Sequence, residues 1–146
     1  MLSILIDTNV ALDFVLCRQP FYQIAEKVVE TANPQNISLN VSAASVTDIY
    51  YLARRELKDR NLALQLLKNF LNVAKIAAVS EDEINKALEL EWSDFEDAVQ
   101  YSTALLSQMD YIITRNAKDF KSSEVPAISP EDFLALLEPE DSEVEQ

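Results

Sequence analysis

Apolar positions along the chain switch repeatedly between two rhythms, and the switching lays out the elements. Ile4-Leu5-Ile6 is a continuous aliphatic run that stops at Asp7-Thr8-Asn9. It reads as a buried strand over residues 3–6. Residues 9–16 read as a short helix that Arg18-Gln19-Pro20 breaks. Pro20 suits the start of a second helix, through about residue 31, with Ile24, Val28 and Val29 on one face. Asn33-Pro34-Gln35-Asn36 is a turn, and residues 37–41 alternate with period two as a second strand. Helices follow over 46–57 and 61–73, the latter striped by Leu62, Leu66, Leu67, Phe70 and Leu71. A third strand spans 76–79. Ser80 with Glu83, and Ser93 with Glu96, form capping boxes that open helices over 81–90 and 94–107. A fourth strand, 111–114, ends in polar residues as the first does. A turn or short helix over 116–120 precedes an edge strand, 125–128, where Pro126 is tolerated. Ser129-Pro130-Glu131 opens a last helix through residue 137. Strands alternating with helices, without repeat or linker, predict one α/β domain over residues 1–137. Its sheet is mostly parallel, with four to five strands. Residues 138–146 are expected to be an acidic, disordered tail.

Composition narrows the chemistry more than the fold. The chain has 146 residues, 49% of them hydrophobic, which is ample for one folded domain. No apolar run approaches the roughly 20 residues that span a bilayer, so no membrane association is expected. Met1-Leu2-Ser3-Ile4 lacks the basic start of a signal peptide. The single cysteine, Cys17, permits no internal disulfide and fits a reducing cytoplasm. Histidine is absent, which removes Ser-His and Cys-His catalysis and imidazole metal ligands. Glycine is absent too, which removes the Gly-rich phosphate loops. Any chemistry therefore falls to oxygen ligands. The net charge of −13 does not attract nucleic acid diffusely. It suits a basic protein partner or a site for divalent cations. The one basic cluster is Arg54-Arg55 with Lys58 and Arg60, at a helix end.

Acids gather where strands end. Asp7 follows the first strand, and Asp48 stands early in the helix after the second. Asp94 and Asp97 lie three apart at a helix start, and Asn116 and Asp119 lie three apart after the fourth strand. Parallel strands point one way, so their carboxyl ends share an edge, where function collects in such sheets. Each acid also has a local reading. Asp7 or Thr8 could cap a helix, Asp48 could close a capping box with Ser45, and Asp94 and Glu96 suit a first helical turn. Together, however, they would repel one another unless a cation binds. Hard oxygen ligands suit Mg²⁺ or Mn²⁺, ions that assist phosphodiester hydrolysis.

Four stretches carry a resemblance by their order and spacing. They are Leu5-Ile6-Asp7-Thr8-Asn9, Asp48-Ile49-Tyr50-Tyr51-Leu52-Ala53-Arg54, Asp94-Phe95-Glu96-Asp97-Ala98-Val99-Gln100 and Thr114-Arg115-Asn116-Ala117-Lys118-Asp119-Phe120. The sequence resembles the PIN-domain family of metal-dependent nucleases, which includes the toxins of VapBC-type toxin–antitoxin pairs. The resemblance runs from Leu5 to about Leu134. It implies a Rossmann-like three-layer α/β/α sandwich around the sheet. It implies a Mg²⁺- or Mn²⁺-dependent ribonuclease, an endonuclease acting in the cytoplasm as the toxin of a type II pair. A basic antitoxin and a homodimer are implied as well. Carried over by position, Asp7 and Asp97 are primary metal ligands and Asp48 is the second acid. Asn116 or Asp119 fills the fourth corner, and Asp94 is an auxiliary acid. Thr8, Asn9 and Thr114 orient ligands, while Arg115, Arg54 and Arg55 hold the RNA backbone. One departure matters: the family's second acid is typically Glu, and Asp48 is one methylene shorter. That departure motivates a rival, a catalytically weak PIN-fold module that binds protein through an apolar groove near Phe14, Phe21 and Tyr22. A phospho-acceptor receiver domain fits poorly, because no Lys ends the fourth strand.

Overall fold

The computed structural model describes residues 1–121 and 124–138. Its elements run β1 (Ser3–Ile6), α1 (Thr8–Val15), α2 (Tyr22–Ala32), β2 (Ser38–Ser42), α3 (Ala43–Leu57), α4 (Arg60–Leu71), β3 (Lys75–Ala77), α5 (Glu81–Leu90), α6 (Phe95–Leu106), β4 (Tyr111–Ile113), β5 (Ala127–Ile128) and α7 (Pro130–Leu136), with a 3₁₀ turn at Ala117–Asp119 before β5. The five strands form one sheet in the order β3-β2-β1-β4-β5. Every pairing is parallel.

The period-two alternation of the central strands sorts side chains between two cores. Ile4 and Ile6 of β1 pack with Leu39, Val41 and Ile113 against α1, α2, Ile49 of α3, Phe70 of α4 and Phe133 of α7. Leu5 and Ile112 point the other way, onto Tyr101 and Ala104 of α6. Helices thus cover both faces, in the three-layer α/β/α arrangement expected. Each large aliphatic side chain so buried contributes roughly 1.5–3 kcal/mol. Asp7 shares the parity of Leu5, so the alternation delivers its carboxylate to the α6 face.

Two helix starts differ from the sequence reading. The helix predicted over 46–57 begins at Ala43, because the Ser42 hydroxyl accepts the Ala44 N–H at 3.1 Å and caps it. Asp48 therefore lies in the second turn and closes no capping box with Ser45. The cap of α6 is Asp94, not Ser93: its carboxylate accepts the Asp97 N–H at 3.1 Å. The box at Ser80 forms as read, with the Ser80 N–H donating to Glu83 at 2.7 Å. β5 is a parallel edge strand as expected, shortened to two residues after Pro126. The tail expected to be disordered lies, beyond Glu138, outside the described residues.

Candidate active site

Asp7 sits one residue past β1. Its N–H still pairs with the Ile113 carbonyl at 2.9 Å, and its carbonyl accepts the Ala11 N–H at 3.0 Å, which opens α1. The side chain caps nothing. It turns instead toward α6 and β4, where Oδ1 accepts from Gln100 Nε2 and Oδ2 from Thr114 Oγ1, both at 2.8 Å. Thr114 Oγ1 in turn accepts the Asn116 N–H at 3.1 Å, which leaves its hydroxyl hydrogen for Asp7. Asp7 is 4% exposed and Thr114 fully buried. The chain leaves β1 toward β2 and β3, then returns to β4 on the other side. The Asp7–Thr114 pair thus stands at the topological switch point of the sheet, where crevices open in this architecture.

The first turn of α6 brings the other acids. Carboxylate oxygens of Asp7, Glu96 and Asp97 all lie within 4.8 Å of one another. Desolvation, then the charges of Asp94, Asp7 and Asp119, push the Asp97 carboxyl up to about 7. Glu96 also rises to about 7, through desolvation and then its hydrogen bond to the Asp48 carboxyl, with the charges of Asp48, Asp7 and Asp94 adding to it. Two carboxyl groups can share a hydrogen bond only if one holds a proton. The cluster thus takes up positive charge near neutral pH. Three hard oxygen donors, one from the end of β1 and two from the first turn of α6, fit Mg²⁺ or Mn²⁺. The Gln100 amide oxygen, buried beside Asp7 with no hydrogen-bond partner among the described residues, is a further acceptor in keeping with that fit.

The remaining predicted residues divide. Asp48 reaches the cluster through Glu96. Asp119 is exposed, yet close enough to bear on Asp97. It lines a groove of about 240 Å³ with Trp92, Ser93, Asp94, Asp97 and Lys121. Asn116 lies at the start of the 3₁₀ turn, also exposed, with its N–H on Thr114 Oγ1. Thr8 donates to Ser45 Oγ at 2.7 Å and ties α1 to α3, and Asn9 is half-buried beside it. Arg115 is taken up by Asp13 of α1, with Nε to Oδ2 at 2.8 Å, and its guanidinium lies 3.8 Å over the Phe21 ring. Arg54 and Arg55 lie in the last turn of α3, exposed, at the far end from the carboxyl edge. Phe14 packs against Tyr22 and the buried Phe70, both Phe14 and Tyr22 being half-buried, while Phe21 is exposed. A larger groove of about 610 Å³ between α2 and α7 gathers none of the predicted site residues.

Sequence reasoning passed over four residues. Glu96 looked like any first-turn acid. Gln100 had a signal, since it stands three after Asp97 on one helical face. Asp13 had one as well, as an acid inside an apolar helix. Lys121 had none.

The PIN domain family matches residues 3–118. Ribonuclease VapC1 of Aquifex aeolicus (strain VF5) is 25% identical over 136 residues, covering 90% of this chain and 92% of that protein. Among solved structures, a chain of VapBC2 from Rickettsia felis, bound to a promoter DNA fragment, superposes with a TM-score of 0.68 at 17% identity. That match covers 88% of this chain and 98% of the other. VapC20 of Mycobacterium tuberculosis, a sarcin-ricin loop cleaving toxin, gives a TM-score of 0.67 at 16% identity, covering 85% and 99%.

Proposed function

The chain belongs to the PIN domain family, and from that premise we propose that it is a divalent-metal-dependent RNA endonuclease, the toxin of a type II toxin–antitoxin pair. The observation that carries the reading is the convergence of the Asp7, Glu96 and Asp97 carboxylates at the switch point of the sheet. The similarity to a ribonuclease, and to structures that include a toxin–antitoxin complex from Klebsiella pneumoniae, supports it. A bound Mg²⁺ or Mn²⁺ supplies Lewis acidity toward the phosphodiester and lowers the pKa of water. Asp7 and Asp97 hold the ion, with Asp119, or Asn116, at the fourth corner and Asp94 as an auxiliary charge. Thr114 and Gln100 fix the Asp7 carboxylate, so that its oxygens are placed before substrate arrives. Thr8 and Asn9 support the same strand end. Lys121 in the acidic groove, with Arg54 and Arg55, contacts the RNA backbone, contacts that position rather than specify. Arg115 reaches RNA only if its pair with Asp13 opens. Residues 1–137 carry the activity as one domain, in the cytoplasm, as a homodimer whose basic antitoxin answers the net charge of −13.

The test is cleavage of total cellular RNA with Mg²⁺ or Mn²⁺, with sequencing of fragment ends. We expect EDTA to abolish cleavage. Asp7→Asn or Asp97→Asn should lower it by more than the roughly 10–100-fold typical of a residue that only supports a ligand. Undiminished cutting by Asp97→Asn overturns the assignment. A second reading, a catalytically weak protein-binding module, is favoured by one observation: the shortened Asp48 is engaged by Glu96. It predicts no heat and no thermal shift on titration with millimolar metal.

A further inference from the structure

Resting on the metal-dependent reading above, we propose that Glu96 is the third carboxylate ligand of this site in place of Asp48, and that Asp48 is a positioning residue that holds Glu96. Among the described residues, the acids whose oxygens converge within 4.8 Å are Asp7, Glu96 and Asp97. Asp48 is not one of them. Its carboxyl hydrogen-bonds to Glu96 instead. The reason is reach. Asp48 projects from the second turn of α3, and its side chain is shorter than Glu by about 1.5 Å, one carbon–carbon bond. Glu96 has the missing methylene and starts from α6, the helix that already supplies Asp97. Adjacent helix positions point about 100° apart, and the longer side chain spans that angle.

A first-turn acid serving only the helix dipole needs no partner and extends into solvent. Glu96 is an exposed residue, yet its carboxyl lies within 4.8 Å of those of Asp7 and Asp97 and meets Asp48. An independent observation points to a ligand at the same place. Gln100, 1% exposed, turns its amide to this cluster, with Nε2 on Asp7 and Oε1 without a partner among the described residues. The site has thus moved its second acid from one helix to another while keeping three converging carboxylates.

Calorimetric titration of the full chain with Mn²⁺ tests this. Glu96→Gln keeps the side chain's shape and still donates to Asp48, but removes the ligand charge. We expect it to weaken Mn²⁺ affinity by more than about 100-fold, as Asp97→Asn does, whereas Asp48→Asn costs less, roughly 10–100-fold, as an outer partner should. The double variant should bind no more weakly than Glu96→Gln alone, because Asp48 acts through Glu96. Melting in EDTA should show every variant folded, which separates loss of a ligand from loss of the fold. The inference is overturned if Glu96→Gln binds Mn²⁺ like the parent while Asp7→Asn and Asp97→Asn do not; the metal site then stands without Glu96. If Asp7→Asn and Asp97→Asn also bind like the parent, the reading of the site falls and this inference with it.

Discussion

Asp7 occupies the position of a helix cap, yet its carboxylate does none of the capping. Thr114 and Gln100 claim both oxygens instead. That makes Thr114 the residue on which the geometry of Asp7 most depends. Thr114→Val should leave Asp7 Oδ2 without this partner in a buried place and remove the acceptor of the Asn116 N–H. We expect a loss of about 1–3 kcal/mol in urea unfolding, and roughly tenfold slower RNA cleavage. Thr114→Ser should restore both. Unchanged cleavage by Thr114→Val sinks the orienting role. Asp7 and Asp97 were legible in the sequence because strand ends and helix starts place them. Glu96 was not, because a first-turn glutamate looks alike whether it meets solvent or a carboxyl from another helix.

Elements are tied at their ends. Asp94 belongs to the acidic groove and also caps α6. Asp94→Ala should cost about 1 kcal/mol of stability, while Asp94→Ser, which retains an acceptor, should cost little. Equal losses for the two by chemical denaturation would mean that the cap is not what Asp94 supplies. A second tie joins α1, the loop after β4 and the start of α2 through Asp13, Arg115 and Phe21. Burial drives the Asp13 carboxyl upward, and Arg115 holds it back down. Arg115→Ala strands that acid, so about 3 kcal/mol should be lost. Asp13→Asn in the same chain should recover part of it, and simple additivity in a double-mutant cycle would refute the pairing. The capping box at Ser80 was readable in advance, since its signature is local. The start of α3 was misread by three residues, because Ser42 and Ser45 are equally good caps on paper. Strand β2 runs on to Ser42 and decides between them.

At the scale of the whole molecule, the cluster makes stability depend on pH and metal together. Glu96 and Asp97 titrate near 7 when folded, against ordinary values of 4.5 and 3.8. Between those limits the folded chain holds protons that the unfolded chain has released. The stability these two groups contribute is therefore fullest below about 4 and is lost as pH rises through about 7. In EDTA, the midpoint of thermal unfolding should be higher at pH 5 than at pH 8. Mn²⁺ should reverse that order, since its ligands must be deprotonated. At a hundredfold excess over its Kd it adds about 2.7 kcal/mol. A midpoint in EDTA that climbs from pH 5 to pH 8 contradicts this account.

By itself the sequence determined which residues are buried, in what rhythm, and therefore that acids stand at the ends of parallel strands. It also excluded histidine, thiolate-pair and glycine-loop chemistry by the plain absence of those residues. These conclusions rest on local periodicity and composition, which need no third dimension. Only the tertiary structure decided which acids meet. Strand order brings β4 beside β1 and sets Thr114 on Asp7. The approach of α6 to α3 turns Glu96 onto Asp48, and the side-chain lengths of those two decide which reaches Asp7. Distances of a few ångströms between residues half a chain apart depend on packing, and packing is not written in any single stretch of the chain.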